Sequence, residues 1–245
     1  MIRAWAVFML ITLAAAGRVN AQSGEVEWAK DGSHREPEHP KPVSKEQQAS
    51  QSILPKWSAS LDGGYGYRLF RTGKVFTTAA NQRYIKDFRS GIAFGGNVAY
   101  FPWPRFGFGV RYERYQSKAT WNDLTEDVTI QHLSGLLTHR SVLKNQRTFV
   151  LTSLMVGYQP YQNKTSVGAE QFTLNGKTAG WGVSVGLQHR LGEKFAFNVT
   201  GSAMMGAIYR LQRKTEISSA TLHLSKDNSV DLSRFSLTVG LGFLK

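Results

Sequence analysis

Residues 233–245 read SRFSLTVGLGFLK, and this stretch decides the fold. Its apolar side chains alternate with small or polar ones. The apolar positions are Phe235, Leu237, Val239, Leu241 and Phe243, and the positions between them are Ser236, Thr238, Gly240 and Gly242. Successive side chains of a β-strand point to opposite faces of the sheet. The pattern therefore predicts a strand with an apolar face toward lipid or a core.

The same alternation recurs upstream, at 181–188 (WGVSVGLQ) and at 195–200 (FAFNVT). A sheet built from such strands must protect its two edges, and the simplest way is to close on itself. We predict that the last strand pairs with the first and closes a transmembrane β-barrel.

The N-terminus predicts export. Arg3 precedes an uncharged apolar run from Ala4 to Ala16, and the small residue Ala21 follows. This arrangement is typical of a signal peptide over residues 1–21, because the run is shorter than the ~20 residues that a spanning helix needs. The exported chain has no Cys, which excludes a disulfide framework and thiolate metal sites.

Residues 22–56 are rich in charge, Pro, Ser and Gln and poor in apolar residues. Such a composition cannot bury enough surface to offset the entropy of ordering. We predict a disordered, flexible periplasmic tail, which serves as a spacer or as a tether to a periplasmic partner. The barrel domain is then predicted over residues 57–245.

The charge of the chain lies in the barrel domain. The formal net charge is +13, and residues 57–245 carry 23 basic and 11 acidic groups. A basic chain usually suggests nucleic acid, but an exported chain meets anionic lipid head groups instead. We therefore expect no nucleic-acid partner.

Eight strands are predicted in the barrel domain, joined by connections that are alternately long and short. The strands cover about residues 57–69, 90–101, 106–119, 128–142, 148–161, 179–191, 195–213 and 233–245. Long extracellular loops and short periplasmic turns alternate in this way in outer-membrane barrels. The alternation of strand four is irregular, which suggests a bulge.

The two faces of these strands distinguish a membrane barrel from a soluble lipocalin-like binder, whose inward face would be apolar around a ligand cavity. Here the second face is small and polar. Aromatic residues near strand ends are predicted to form the interfacial girdles. These residues are Trp57, Trp103, Trp121, Trp181 and Tyr209.

Three segments of the chain resemble small bacterial outer-membrane barrels of the OmpA and OmpX type. They are LDGGYGYRLF at 61–70, LGEKF at 191–195 and FSLTVGLGF at 235–243. The resemblance implies an all-β, eight-stranded, antiparallel up-and-down transmembrane β-barrel in the outer membrane of a Gram-negative bacterium, with both termini in the periplasm. It also implies the barrel assembly machinery as a partner.

Polar residues on the inward faces are predicted to form a network in the lumen. They are Asp62, Arg68, Arg111, Glu113, Gln188, Arg190, Asn198 and Arg210. Acidic and basic groups enclosed together should pair, because an unpaired buried charge is costly. The network predicts a salt-bridged plug, with a narrow ion channel as the alternative.

His132 and Ser134 lie two residues apart and share one face of strand four. A serine and histidine pair could serve a lipid A-modifying hydrolase, but no third member of a triad is apparent. We therefore predict no catalytic residues and no enzymatic activity. No metal-ligand spacing or cofactor motif is apparent either, so we expect no cofactor.

Basic residues in the predicted extracellular loops are the better functional candidates. They are Lys74, Arg83, Lys86 and Arg89 in the first loop, Lys164 and Lys177 in the third, and Arg213, Lys214 and Lys226 in the fourth. In this topology they would meet outer-membrane lipids, in particular the phosphates of lipopolysaccharide, or an external partner. The alternative is solvated charge that keeps the loops soluble. We predict a monomeric barrel with a structural or adhesive role.

Overall fold

The computed structural model describes residues 54–70, 79–225 and 228–245. The predicted signal peptide, most of the predicted tail, and Lys74 and Lys226 lie outside these ranges. The described part of the chain is dominated by antiparallel strands.

Eight strands form the barrel. They are β1 (Trp57–Arg68), β2 (Ser90–Tyr100), β3 (Phe106–Trp121), β4 (Leu124–Val142), β5 (Thr148–Val167), β6 (Glu170–Arg190), β7 (Phe195–Met205) and β12 (Arg234–Leu244). Helix α1 (Ala79–Arg89) precedes β2. Four short strands lie between β7 and β12, namely β8 (Ala207–Ile208), β9 (Arg210–Lys214), β10 (Ser219–His223) and β11 (Val230–Asp231).

The last strand closes the barrel against the first, as the sequence predicts. β12 pairs with β7 on one side and with β1 on the other, from Ser58 opposite Leu244 to Arg68 opposite Arg234. The backbones of Trp57 and Lys245 exchange two further hydrogen bonds at the end of the seam. Every barrel strand therefore pairs with a neighbour on each side, and none of the eight is an edge strand.

The strands are staggered around the ring. A path across the paired residues that starts at Ser58 returns to β1 at Arg68, ten residues further along the strand. With eight strands and ordinary strand spacings, this stagger gives a tilt of about 40°. Such a barrel is just wide enough for side chains to fill its interior.

Large apolar side chains cover the outside of the barrel. Leu61 is 76 % exposed and Leu241 is 63 % exposed, and Val110, Leu133 and Val239 are exposed as well. The inward positions of the same strands are small, polar or charged. This distribution is the reverse of a soluble ligand-binding barrel, so the lipocalin-like alternative is wrong. We call this exposed surface the apolar belt.

The short connections lie, as predicted, at the end of the barrel that holds Trp57 and Lys245, which we call the terminal end. At the opposite end the strands continue further than predicted. The sequence predicts loops at Thr120–Asp127 and over most of 163–178, but these segments belong to the β3–β4 and β5–β6 hairpins, which turn at 122–123 and 168–169. Beyond the belt both faces of a strand can be polar, so the alternation that marks a strand in the sequence disappears there.

The other corrections concern strands four and seven and the first loop. Strand four has no bulge, because its register with β3 is continuous from Phe106 opposite His139 to Trp121 opposite Leu124. Its inward face is irregular only because Val128 and Ile130 are buried in an apolar cluster. Strand seven ends at Met205, and the chain then forms β8, which pairs with β11 instead of β6. Helix α1 occupies the end of the predicted first loop.

The lumen is filled in layers. An apolar cluster that includes Tyr115, Ile130 and Leu232 lies toward the hairpin end. A second cluster, which includes Phe101 and Met155, lies toward the terminal end, where Arg140 donates hydrogen bonds to the carbonyl oxygens of Pro55 and Pro104. The charged residues described below lie between the two clusters.

Tyr115 occupies a slot between two inward glycines. A Cβ atom at Gly66 would lie 2.6 Å from its ring, and one at Gly91 would lie 2.7 Å from it. The Tyr115 hydroxyl donates a hydrogen bond of 2.7 Å to the carbonyl oxygen of Arg89, which fixes the ring in place. Only glycine allows so close an approach.

We expect Gly66→Ala to destabilise the barrel by about 1–3 kcal/mol, because the new methyl group would displace this ring. Gly63→Ala is the matched control on the same strand, since its nearest neighbouring atom would lie 3.9 Å away. Unfolding in urea, followed by the gel mobility of unboiled samples, measures both. Equal midpoints for the two variants would contradict the packing described here.

Candidate functional site

Four charged side chains form a continuous network across the middle of the lumen. Arg111 donates two hydrogen bonds of 3.0 Å to the two carboxylate oxygens of Asp62. Glu113 lies 3.5 Å from Arg111 and 3.0 Å from Arg234. All four side chains are at most 4 % exposed. In this network both carboxylates pair with guanidinium groups, as buried charges require.

The other predicted lumen residues are found in three settings. Arg68, Gln188 and Asn198 are buried inside the barrel. Arg190 is half-buried at the terminal end, where it donates a hydrogen bond of 3.5 Å to the carbonyl oxygen of Glu193. Arg210 is exposed on β9, so its assignment to the lumen is wrong. The sequence predicts that strand seven continues through Arg210, whereas in the structure the chain leaves β6 after Met205.

The filled lumen does not favour the alternative of an ion channel. The two apolar clusters lie on either side of the charged network. The cavity beside Arg111, lined by hydroxyl groups such as those of Ser58 and Thr138, has a volume of about 40 Å³. It has room for water but is not a passage.

His132 and Ser134 share the inward face of β4, as predicted, but both are buried. Ser134 donates its hydrogen bond of 3.4 Å to the carbonyl oxygen of Arg111, not to His132. A lipid substrate outside the barrel cannot reach either side chain, so the geometry does not support a lipid A hydrolase at this pair.

Two features are absent from the described residues. No group of three or more His, Asp or Glu side chains lies close enough together to hold a metal ion. Within the same ranges, no helix has the length and apolar character needed to cross a membrane.

A basic surface lies on the outside of the extended hairpins, beyond the apolar belt. The last belt row here runs through Tyr112, Leu133 and Tyr158, which are direct partners across β3, β4 and β5. Two residues further along these strands, Arg114 lies opposite Gln131, and Pro160 lies opposite Lys177. We call these four residues the first polar row.

A second row lies four residues beyond the first polar row and crosses five strands. It runs Lys118, Asp127, Lys164, Thr173, Lys214, each opposite the next. The three lysines are exposed and face outward, and the row itself contains one carboxylate, that of Asp127. We call this line the lysine row. Neither Arg114 nor Lys118 was singled out from the sequence, because their alignment with Lys164 and Lys177 depends on the pairing register.

The predicted loop cations are found in several settings. Arg83 and Lys86 are exposed on α1, whereas Arg89 is half-buried and donates a hydrogen bond of 2.7 Å to the carbonyl oxygen of Phe70. Lys164 and Lys177 lie on strands and not in a loop. Arg213 and Lys214 lie on β9, where the Arg213 guanidinium is 4.4 Å from the centre of the Phe172 ring.

Helix α1 is attached to the β3–β4 hairpin. Tyr84 donates a hydrogen bond to the Glu126 carboxylate, which also accepts one of 2.7 Å from Asn163. Burial and the neighbouring carboxylate raise the pKa of Tyr84 above its usual range. The tyrosine is therefore neutral at physiological pH, and the helix keeps this contact.

The aromatic residues predicted for the girdles are all partly exposed. Trp57 and Trp103 lie at the terminal end of the barrel, and Trp181 lies on β6 opposite Val156. Trp121 lies at the tip of the β3–β4 hairpin, beyond the belt, so its assignment to a girdle is wrong. The hairpin extends further than its sequence pattern indicated. Tyr209 lies beyond the end of β7, outside the barrel strands.

Comparison with solved structures addresses the fold. A major outer membrane protein from Thermus thermophilus matches 77 % of this chain and 98 % of its own, with a TM-score of 0.54 and 11 % identity. The chain has the fold of an outer-membrane β-barrel protein. OprG from Pseudomonas aeruginosa is also similar, with 13 % identity, coverage of 78 % and 96 %, and a TM-score of 0.48. No family model and no curated protein matches the sequence.

The membrane location follows from the barrel itself. An apolar belt of this extent on a closed barrel is stable only against lipid. A barrel of this kind lies in the outer membrane, with its terminal end and short turns in the periplasm and its extended hairpins outside the cell. The first polar row and the lysine row are therefore on the extracellular side of the belt.

Proposed function

We propose that this outer-membrane barrel has a structural or adhesive role without enzymatic activity, and that its basic outer face binds the phosphate groups of lipopolysaccharide. The observation that supports this proposal is the position of the basic residues. Arg114 and Lys177 follow the belt directly, and the lysine row lies just beyond them.

Charge and level agree with this ligand. Five basic groups, Arg114, Lys118, Lys164, Lys177 and Lys214, lie on this face with two carboxylates, Asp127 within the lysine row and Glu216 beside it. The phosphates of lipopolysaccharide lie at the outer boundary of the hydrocarbon layer, which is the level of side chains next to the belt. Lysine and arginine bind phosphate through charge-assisted hydrogen bonds. Basic residues that only kept the loops soluble would not need to lie together on one face of the sheet.

We expect the triple variant Lys118→Gln, Lys164→Gln, Lys177→Gln to bind lipopolysaccharide about 100-fold more weakly at low ionic strength, because each lysine near an anionic surface contributes about 1 kcal/mol. Binding is measured by calorimetric titration of the barrel in phosphatidylcholine nanodiscs. Added salt should narrow the difference between variant and parent.

The matched control removes three exposed lysines at the opposite end of the barrel, Lys56, Lys144 and Lys194. It has the same net charge as the first variant and should bind lipopolysaccharide like the parent. Equal weakening by both variants would mean that overall charge, and not this face, attracts the ligand, and the proposal would fail.

A further inference from the structure

Between the first polar row and the lysine row lies a third row that carries no charge. It runs across six strands, and each member is opposite the next: Gln116, Thr129, Gln162, Asn175, Gln212 and Thr221. Amide and hydroxyl groups occupy every position. We call this line the amide row.

Every member of the amide row except Gln116 lines a hollow of about 750 Å³ on the outer face of the sheet. Gln162, Asn175 and Gln212 line it together with Tyr158, Lys177 and Arg210 of the neighbouring rows. Thr129 faces outward in the strand alternation but is only 9 % exposed, so the surface is concave at this point. The volume is within the range of small-molecule sites.

Three polar atoms of the amides in this hollow have no hydrogen-bond partner among the residues that the structure describes. Gln162 donates through Nε2 to Oδ1 of Asn175 at 3.2 Å, and Gln212 donates through Nε2 to Oγ of Ser219 at 3.3 Å. These bonds orient the amides and leave Oε1 of Gln162, Nδ2 of Asn175 and Oε1 of Gln212 for a ligand. A row that offers both acceptors and donors suits neighbouring hydroxyl groups, which can do both.

The rest of the hollow narrows the class of ligand. The half-exposed ring of Tyr158 offers an apolar face for the C–H surface of a sugar ring. Lys177 and Arg210 add two positive charges at the same edge. Binding of phosphate alone would require the charges but not the uncharged row, and an apolar ligand would require neither.

We propose that this hollow binds a phosphorylated saccharide, with the sugar hydroxyls on the amide row and a phosphate on Lys177 and Arg210. The proposal rests on the proposed function, because the phosphorylated sugars of lipopolysaccharide are the ligand of this chemistry at the outer face. It adds that the sugar is recognised directly and not only through its charge.

The test compares two soluble probes, deacylated lipopolysaccharide, which is a phosphorylated oligosaccharide, and inorganic pyrophosphate. The variant Gln162→Ala, Asn175→Ala, Gln212→Ala should bind the oligosaccharide about tenfold more weakly, because it loses several hydrogen bonds, and should bind pyrophosphate like the parent. Gln116→Ala is the matched control, since it lies in the same row but does not line the hollow. Gel mobility before and after boiling verifies that each variant is folded.

The outcomes separate this inference from the proposed function. An unchanged oligosaccharide affinity in the amide variant, with weaker lipopolysaccharide binding by the lysine variant described above, would overturn the saccharide site and leave the phosphate-binding face. Equal losses for both probes would also overturn it, because the amides would then not be specific for sugar. An unchanged lysine variant would remove the proposed function itself.

Discussion

Glu113→Gln should destabilise the folded barrel by about 3–5 kcal/mol, which is the usual cost of removing one partner from a buried ion pair. Glu113 is the only carboxylate that contacts Arg234 in the described residues, and it also contacts Arg111. Without its charge, the Arg234 guanidinium would be fully buried and unpaired. Urea unfolding, monitored through the gel mobility of unboiled samples, measures the loss.

Two further variants make this prediction specific. Glu193→Gln removes a carboxylate from an exposed periplasmic turn and should change the stability by less than about 0.5 kcal/mol. The double variant Glu113→Gln, Arg234→Met removes both partners, leaves the Asp62–Arg111 pair in place, and should recover part of the loss. A stability of Glu113→Gln equal to that of the parent would contradict the role of the network as the polar core of the barrel.

Val239→Arg should also be strongly destabilising, although Val239 is 51 % exposed. It lies on β12 between Gly63 of β1 and Val199 of β7, in the middle of the apolar belt. An arginine that faces the middle of the bilayer costs about 2–4 kcal/mol. An exposed valine of a soluble protein would tolerate the same change with an effect within about 0.5 kcal/mol.

Thr120→Arg is the control for position, because Thr120 is exposed near the tip of the β3–β4 hairpin, beyond the belt. It should leave the stability unchanged in lipid vesicles. If Val239→Arg and Thr120→Arg were equally harmless, the belt could not face lipid.

The sequence predicts the barrel because lipid imposes a strict rule on each strand. Every second side chain of a spanning segment must be apolar, so the pattern of Phe235, Leu237 and Val239 is visible without any knowledge of the partner strands. The same rule explains why the charged residues Asp62, Arg111 and Glu113 could be assigned to the lumen. Both predictions need only local alternation.

The predictions fail where this rule no longer applies. The hairpin segments around Lys164 and Lys177 have water on their outer face, so nothing in their pattern distinguishes a strand from a loop. The departure of the chain from β6 after Met205, which moves Arg210 outside, depends on contacts of Ile208 and Leu232 inside the lumen. Such contacts between distant parts of the chain have no local signal.

The candidate binding face depends most on long-range pairing. Lys118, Lys164 and Lys214 are far apart in the sequence, and only the register of four pairings places them in one line. The amide row is the result of the same register. A basic composition could be recognised from the sequence, but the order of charged, uncharged and charged rows could not.

Closure of the barrel by β1 and β12 is the central claim, and one cross-link tests it directly. Because Trp57 and Lys245 exchange two backbone hydrogen bonds, the next pair, Ser58 and Leu244, is a closely spaced pair without such bonds, which suits a disulfide. The chain has no native cysteine to interfere. In isolated outer membranes, the variant Ser58→Cys, Leu244→Cys should form an intramolecular disulfide on oxidation, and Ser58→Cys, Thr238→Cys should not. Absence of the first cross-link, or recovery of the protein in the soluble periplasmic fraction, would contradict the closed outer-membrane barrel.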